Sequence, residues 1–202
     1  MTGEPYLKNK VFSWHPLKKS SFFSDSENLK GVFLLKKIGI QFMTRTALIA
    51  AAYAALTYAF AWMSYEQLQF RVAEILVLFA FIEPRYGLGL ILGCVLANMA
   101  SPLGVIDVVA GSFATFAAIA FIVTVRKKLG CSKKALVIAS LGPVISNALI
   151  VGLELTYVFN TPFLWNAFYV AVGEVVVVTI AGTVVVNSII SNNKLTEKLY
   201  ID

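Results

Sequence analysis

Long, predominantly apolar stretches run through the second half of this chain, and their length restricts what it can fold into. Residues 107–125, 135–159 and 166–190 are each about 20 residues or longer, the length at which a helix crosses the hydrocarbon core of a bilayer. Of the 202 residues in the whole chain, 58% are hydrophobic, which is more than a water-soluble core of this size needs. The sequence therefore predicts an integral membrane protein.

Three further apolar stretches extend this prediction to six transmembrane helices in one all-α bundle. The predicted helices cover residues 44–63, 65–81, 86–100, 107–125, 135–159 and 166–190. The charged break Glu83-Pro84-Arg85 separates the second helix from the third. A single interrupted span across both is disfavoured, because an odd number of crossings would put the basic loop at residues 126–134 on the opposite side from the basic N-terminus.

The basic residues predict the orientation of this bundle. Of the 17 Lys and Arg residues, all but Arg71 fall in the N-terminal part of the chain up to Arg45, at Arg85, in residues 126–134 or in the C-terminal tail. Six helices put all of these on one side, which the positive-inside rule makes cytoplasmic. We therefore expect a multi-pass protein of the cell membrane with both termini in the cytoplasm.

The chain divides by composition into three parts. Residues 1–43 form a basic cytoplasmic tail, for which an interfacial helix and a disordered segment both remain open. Residues 44–190 form the six-helix transmembrane domain, and residues 191–202 form a second cytoplasmic tail. The net charge of +6 is attributed to topology, because the basic residues lie between apolar runs and not in a patch with interleaved aromatics. No nucleic acid partner is expected.

Two acidic residues inside apolar helices are the strongest candidates for a ligand site. Glu154 follows an apolar run, and Glu174 is followed by four consecutive valines. A carboxylate in such surroundings costs roughly a few kcal/mol unless it is paired, protonated or facing a polar cavity, so it indicates function by default. We favour ligand contact over interhelical bonding for both residues, because a purely structural bond does not need the charge.

Other polar residues in the predicted spans each have two interpretations. Asn147 shares a helix face with Glu154 and can contact either a ligand or a neighbouring helix. Arg71 and Glu74 are close enough in sequence to pair with each other, or they can line a pocket. Asp107 follows a loop containing proline and glycine, which favours a helix N-cap over ligand contact. In the predicted topology these ionisable groups all lie in the external half of the membrane.

A stripe of small side chains marks the first predicted helix. Ala47, Ala51 and Ala55 recur every four residues, with Ala50 and Ala54 beside them. Such a face lets another helix approach closely. The partner helix can belong to the same bundle or to another protein, and the residues alone do not favour either.

Enzyme signatures are missing from the sequence. His15 is the single histidine, and neither Cys94 nor Cys131 lies at a spacing that predicts a metal site or a disulfide framework. No phosphate-binding loop or intramembrane protease motif is present. We therefore expect no catalytic residues, no metal and no cofactor in this chain, and any ATP hydrolysis would belong to another subunit.

Several separated motifs resemble the QueT family, and they occur in the same order. They are residues 69–74, 93–98, 107–115, 147–154 and 172–174, within a similarity that runs from about residue 44 to residue 190. Two features depart from the family pattern: the basic N-terminal tail, and the unusually charged break Glu83-Pro84-Arg85. Neither departure touches the candidate ligand site.

The resemblance implies a function, partners and site residues. Proteins of the QueT family are substrate-binding (S) components of energy-coupling factor (ECF) transporters, assigned to queuosine precursors. This implies a 7-deazaguanine-type small-molecule substrate, a transmembrane coupling (T) component, two ATPase subunits and surrounding membrane lipid. The implied pocket residues are Arg71, Glu74, Asn98, Asp107, Asn147, Glu154 and Glu174. The stripe at Ala47, Ala51 and Ala55 is similar to the motif with which S components dock onto the T component.

Alternative functions stay open at this point. The chain could bind another vitamin-like molecule, or it could be a secondary transporter in which Arg71, Glu74, Glu154 and Glu174 form a proton relay. A third alternative is an unrecognised intramembrane enzyme. Within the implied substrate class, a cationic aminomethyl substituent could use a second carboxylate and a cyano substituent could not, and the sequence does not choose between them.

Overall fold

A computed structural model describes residues 25–64, 70–192, 195 and 199 of the chain. Every regular element in these residues is helical, which confirms the predicted all-α class. Within the described residues there are six main helical segments, as predicted. They are α1 (Asp25–Ala59), α2 (Val72–Ile82), α3 (Gly87–Asn98), α4 (Val105–Leu129), α5 (Lys133–Phe159) and α6 (Phe163–Ser191). By backbone contacts the chain divides into two compact units, one that ends at Ile40 and one that begins at Gln41. The first residues of α1 therefore belong to the first unit, and the rest of α1 belongs to the second.

Three of these helices are long and apolar enough to cross a membrane, namely α4, α5 and α6. Large apolar side chains cover their outer surface: Phe113, Leu153 and Val184, for example, are 61%, 56% and 64% exposed. In water such a surface would be costly, whereas lipid tails are as apolar as the side chains themselves. The composition and the outward-facing residues therefore both indicate a membrane protein.

The boundaries of the first three helices differ from the predicted ones. Helix α1 begins at Asp25 and not at Thr44, because no proline interrupts the segment and helix-forming residues continue through it. Helix α2 was predicted from residue 65, but residues 65–69 lie outside the described part of the chain and the observed helix begins at Val72. Helix α3 ends at Asn98, two residues earlier than predicted.

Helix α2 has an unusual geometry and ends just before a proline. Residues Val72–Leu78 form a tight 3-10 helix, and only the last turn is α-helical. Glu83 then adopts an extended backbone before Pro84, as residues before proline tend to do, so the helix cannot continue. Arg126 of α4 donates to the backbone oxygens of Phe81 and Ile82. The carbonyl groups at the end of α2 therefore have a cationic partner.

Close packing joins α1 to α3 through two glycines. A Cβ atom on Gly89 would lie 2.7 Å from the backbone oxygen of Thr46, and one on Gly93 would lie 2.7 Å from the Cβ atom of Tyr53. Such separations require the absence of a side chain, so these two positions allow the helix backbones to approach. The contact uses the face of α1 that carries Ala50 and buries it.

Candidate functional site

The polar residues predicted to line a pocket are all buried within the bundle. Arg71, Glu74, Asn98, Asp107, Asn147, Glu154 and Glu174 are each at most 5% exposed. Arg71 lies directly before α2, and the other six residues come from helices α2 to α6. The fold therefore brings together residues that are far apart in sequence. We call this set the polar cluster.

One part of the polar cluster is a group of three residues that bind one another. Arg71 donates from Nη2 to Oδ1 of Asn98, and the same nitrogen lies 3.5 Å from Oδ1 of Asp107. Asn98 in turn donates from Nδ2 to the backbone oxygen of Asp107 at 3.0 Å. These bonds tie the start of α2 to α3 and α4, and they give the buried guanidinium an anionic partner.

This group corrects two expectations from the sequence. Arg71 pairs with Asp107 and not with Glu74, because the two side chains take partners from different helices. Asp107 is not the N-cap of α4: the N-cap is Gly104, with a φ of 67°, and Asp107 lies in the first turn. An acidic side chain in the first turn still interacts favourably with the helix dipole.

Glu74 and Glu174 share a second arrangement, in which a neutral group holds one carboxylate oxygen. The hydroxyl of Tyr53 on α1 donates to Oε1 of Glu74 at 2.5 Å. The amide of Asn147 on α5 donates to Oε1 of Glu174 at 2.6 Å. In both residues the other oxygen, Oε2, is buried and has no hydrogen-bond partner among the residues that the structure describes. Each carboxylate is therefore oriented by a neighbour but keeps one acceptor unused.

Glu154 has no such neighbour. Both of its carboxylate oxygens are buried and lack a hydrogen-bond partner in the described protein. The residue lies on the same face of α5 as Asn147 and Val151, all three of which are buried, so the predicted face is observed. Gly152 lies two residues before Glu154. A Cβ atom at this position would lie 3.1 Å from the Cα atom of Ala167, so the absence of a side chain lets the backbones of α5 and α6 approach closely.

The charges of the polar cluster act on one another. Glu174 interacts electrostatically with Glu74 and Arg71, and Glu154 interacts with Asp107 and Arg71. Arg71 therefore lies within electrostatic range of all four carboxyl groups and forms its ion pair with Asp107. Because native proteins leave few buried polar atoms unsatisfied, the unused oxygens of Glu74, Glu154 and Glu174 make the polar cluster the candidate functional site. No cluster of side chains suited to a metal ion occurs within the described residues.

Beyond the cluster, a small polar network joins α5 to the start of α6. Asn166 donates to the hydroxyls of Thr156 and Thr161 at 2.9 and 2.8 Å. Trp165 and Tyr169 stack nearby with ring centroids 6.3 Å apart, and Trp165 is 60% exposed. Exposed aromatic side chains at a helix end are typical of the membrane interface.

The alanine stripe of α1 divides into two faces. Ala50 and Ala54 are buried, whereas Ala47, Ala51 and Ala55 are exposed. Packing inside the bundle therefore uses one set of alanines and leaves the other available. This separation could not be read from the sequence, where both sets have the same four-residue spacing.

Sequence reasoning missed two buried polar side chains, of which Tyr53 contacts the polar cluster. Tyr53 is 1% exposed and holds Glu74, and Thr115 on α4 has a buried hydroxyl oxygen without a hydrogen-bond partner. A tyrosine within an alanine-rich helix is a usable signal, since a buried hydroxyl normally requires a partner. Thr115 offers no such signal, because threonine can bond to its own helix backbone.

Comparison with known proteins gives one family and one curated relative. Residues 43–191 match the family model described as QueT transporter. The chain is also 30% identical, over 149 residues, to the queuosine precursor transporter QueT of Lactococcus lactis subsp. cremoris strain MG1363, covering 69% of this chain and 87% of that protein. No solved structure matches the chain. The matched residues include the whole polar cluster and the exposed alanines of α1.

Proposed function

Because the chain belongs to the QueT transporter family, we propose that it is the substrate-binding membrane subunit of an ECF-type importer and takes up a queuosine precursor of the 7-deazaguanine type. The observation that carries this proposal is the set of buried carboxylate oxygens left without hydrogen-bond partners at Glu74, Glu154 and Glu174. A ligand rich in N–H donors would satisfy them.

The chemistry of a 7-deazaguanine suits these acceptors. Its pyrimidine edge presents adjacent N–H groups, which one carboxylate can accept in a bidentate manner. Glu154 is the residue best placed for this role, because both of its oxygens are without partners. The name of the lactococcal relative, a queuosine precursor transporter, supports the same substrate class.

The proposed partners follow from the exposed face of α1. Ala47, Ala51 and Ala55 form a face with almost no side chains that the bundle itself leaves uncovered, and such a face suits a closely packed helix of a T component. ATP hydrolysis would be carried out by two ATPase subunits bound to that component. We further propose six membrane crossings with both termini in the cytoplasm, supported by the distribution of basic residues.

Reconstituted uptake tests this function. Vesicles containing this chain together with its T component and ATPases should accumulate labelled 7-deazaguanine compounds only when ATP is supplied. Uptake by the purified chain alone, driven by a proton gradient, would instead support a secondary transporter in which the buried carboxylates carry protons.

Identification of the bound ligand gives an independent test. We expect the mass of a 7-deazaguanine in the small molecules released from the protein after purification. Calorimetric titration with 7-cyano-7-deazaguanine and 7-aminomethyl-7-deazaguanine should then show saturable binding of at least one compound. If neither binds to the unmodified protein, the proposed substrate class is wrong.

A further inference from the structure

The polar cluster contains four carboxyl groups and one guanidinium group. Arg71 is the cation within it, and its guanidinium is already engaged by Asp107 and Asn98. Glu74 and Glu174 are held instead by the hydroxyl of Tyr53 and the amide of Asn147. A neutral donor orients a carboxylate without neutralising it, so these two charges remain uncompensated by the groups that hold them.

Glu74 and Glu174 also belong to helices that pack against each other. The 3-10 segment of α2 that carries Glu74 packs against the segment Val175–Gly182 of α6, which has π-helical geometry and begins directly after Glu174. A Cβ atom on Gly182 would lie 3.0 Å from Cδ1 of Leu78, so the two helices are in close contact there. The carboxyl groups of Glu74 and Glu174 are near enough to influence each other electrostatically, and Arg71 influences both. Like charges held together in a buried place attract a cation between them.

From this arrangement we infer that Glu74 and Glu174 together bind a cationic group of the transported molecule, so that the site selects a ligand carrying a protonated amine over an uncharged one. The inference rests on the proposed function and specifies its substrate. Oε2 of each residue, which has no hydrogen-bond partner within the described part of the chain, accepts from the ammonium group. Within the 7-deazaguanine class the preferred ligand is thus the 7-aminomethyl compound, and the 7-cyano compound is disfavoured.

The division of roles within the cluster follows from the same contacts. An ammonium group is compact and has three donors, which suits two single oxygens on facing helices. The pyrimidine edge is flat and presents its donors side by side, which suits the two unpartnered oxygens of Glu154. Glu154 therefore contacts a part that both compounds share, while Glu74 and Glu174 contact the part that distinguishes them.

The experiment is a comparison of two ligands against four proteins by calorimetric titration. The unmodified chain should bind 7-aminomethyl-7-deazaguanine about tenfold to a hundredfold more tightly than the 7-cyano compound, the range expected for a charge-assisted bond. Glu74→Gln and Glu174→Gln should each reduce this ratio towards one by weakening binding of the aminomethyl compound only. Glutamine keeps an oxygen that can accept from Tyr53 or Asn147, so the substitutions preserve the hydrogen bonds that hold the side chains.

Glu83→Gln is the matched control. Glu83 is also a buried acidic residue, 2% exposed. It lies directly before Pro84, outside the polar cluster, and its carboxylate pairs with the guanidinium of Arg85 at 3.1 Å. Its substitution should leave both affinities and their ratio unchanged. Because the ratio between two ligands is the readout, a general loss of folded protein lowers the apparent stoichiometry for both compounds alike and does not imitate the expected result.

Equal affinity of the unmodified protein for both compounds would overturn the inference while leaving the proposed function intact, since a 7-deazaguanine would still be bound. An equal fall in affinity for both compounds in the Glu74 and Glu174 variants would also overturn it. Failure of the unmodified protein to bind either compound would remove the proposed function itself. Even if a variant does not fold, a ratio near one in the unmodified protein is enough to overturn the inference.

Discussion

At the scale of single residues, the sequence indicates which side chains matter better than it indicates what they contact. Hydropathy alone identifies Glu154 and Glu174, because a carboxylate within a long apolar run is costly wherever the helix packs. Their surroundings depend on other helices: Asn147 reaches Glu174 from α5, and Tyr53 reaches Glu74 from α1. For the same reason the pairing of Arg71 with Asp107 was not predicted.

Substitution of Glu154 tests the role of a carboxylate with two unpartnered oxygens. Glu154→Gln should weaken binding of both 7-cyano- and 7-aminomethyl-7-deazaguanine by about tenfold to a hundredfold, since a charge-assisted bond is lost and an amide group now faces ligand donors. Calorimetric titration measures this directly. Affinities equal to those of the unmodified protein for both compounds would show that Glu154 serves the fold and does not contact the ligand.

At the scale of helices, α1 has one face packed within the bundle and one exposed face. Its inner face meets α3 at Gly89 and Gly93, and its outer face presents Ala47, Ala51 and Ala55. The sequence predicts the small-residue stripe, but it cannot assign the faces, because that depends on the rotation of α1 within the bundle. Helix boundaries were likewise less predictable for α1 and α2 than for α4 and α5, which end in clear polar loops.

Ala51→Trp should abolish ATP-dependent uptake while leaving ligand affinity close to that of the unmodified protein. A large side chain on the exposed face prevents close approach of a partner helix and touches nothing inside the bundle. Ala50→Trp provides the comparison, because Ala50 is 5% exposed and its substitution should destabilise the bundle itself. Pull-down of the T component reports docking, and undiminished capture by Ala51→Trp would contradict the assignment of this face.

Gly93→Ala should lower the thermal stability of the bundle, with a cost of about 1 to 3 kcal/mol in the free energy of unfolding. The added methyl group would lie 2.7 Å from Cβ of Tyr53 and 2.9 Å from the backbone oxygen of Ala50, so α1 and α3 must separate. Gly39→Ala is the control, because nothing lies within 4 Å of that position. Thermal unfolding in detergent should show a lower Tm for the first variant only.

At the scale of the whole molecule, the all-α membrane class was predictable from the apolar stretches, and the structure confirms it. Orientation rests on the basic residues alone and stays a prediction. Two cysteines allow it to be measured: Cys131 lies partly exposed in the basic loop between α4 and α5, and Cys94 is buried.

A membrane-impermeant maleimide should modify Cys131 only after cells are made permeable, if the basic loop is cytoplasmic. Cys94 should remain unmodified in both conditions and serves as an internal control, since it is 0% exposed. Thr161→Cys introduces a thiol in the loop before α6, which should react in intact cells. Labelling of Cys131 in intact cells would reverse the proposed orientation.

Tyr53 connects α1 to the polar cluster. The helix that exposes Ala51 on one side holds Glu74 through Tyr53 on the other. If the proposed T component shifts α1 when it binds, that shift would alter a bond within the polar cluster. Thermodynamic linkage would make the effect reciprocal: the factor by which the partner changes ligand affinity equals the factor by which ligand changes partner affinity. The hydroxyl group of Tyr53 would then couple ligand occupancy to the strength of subunit association.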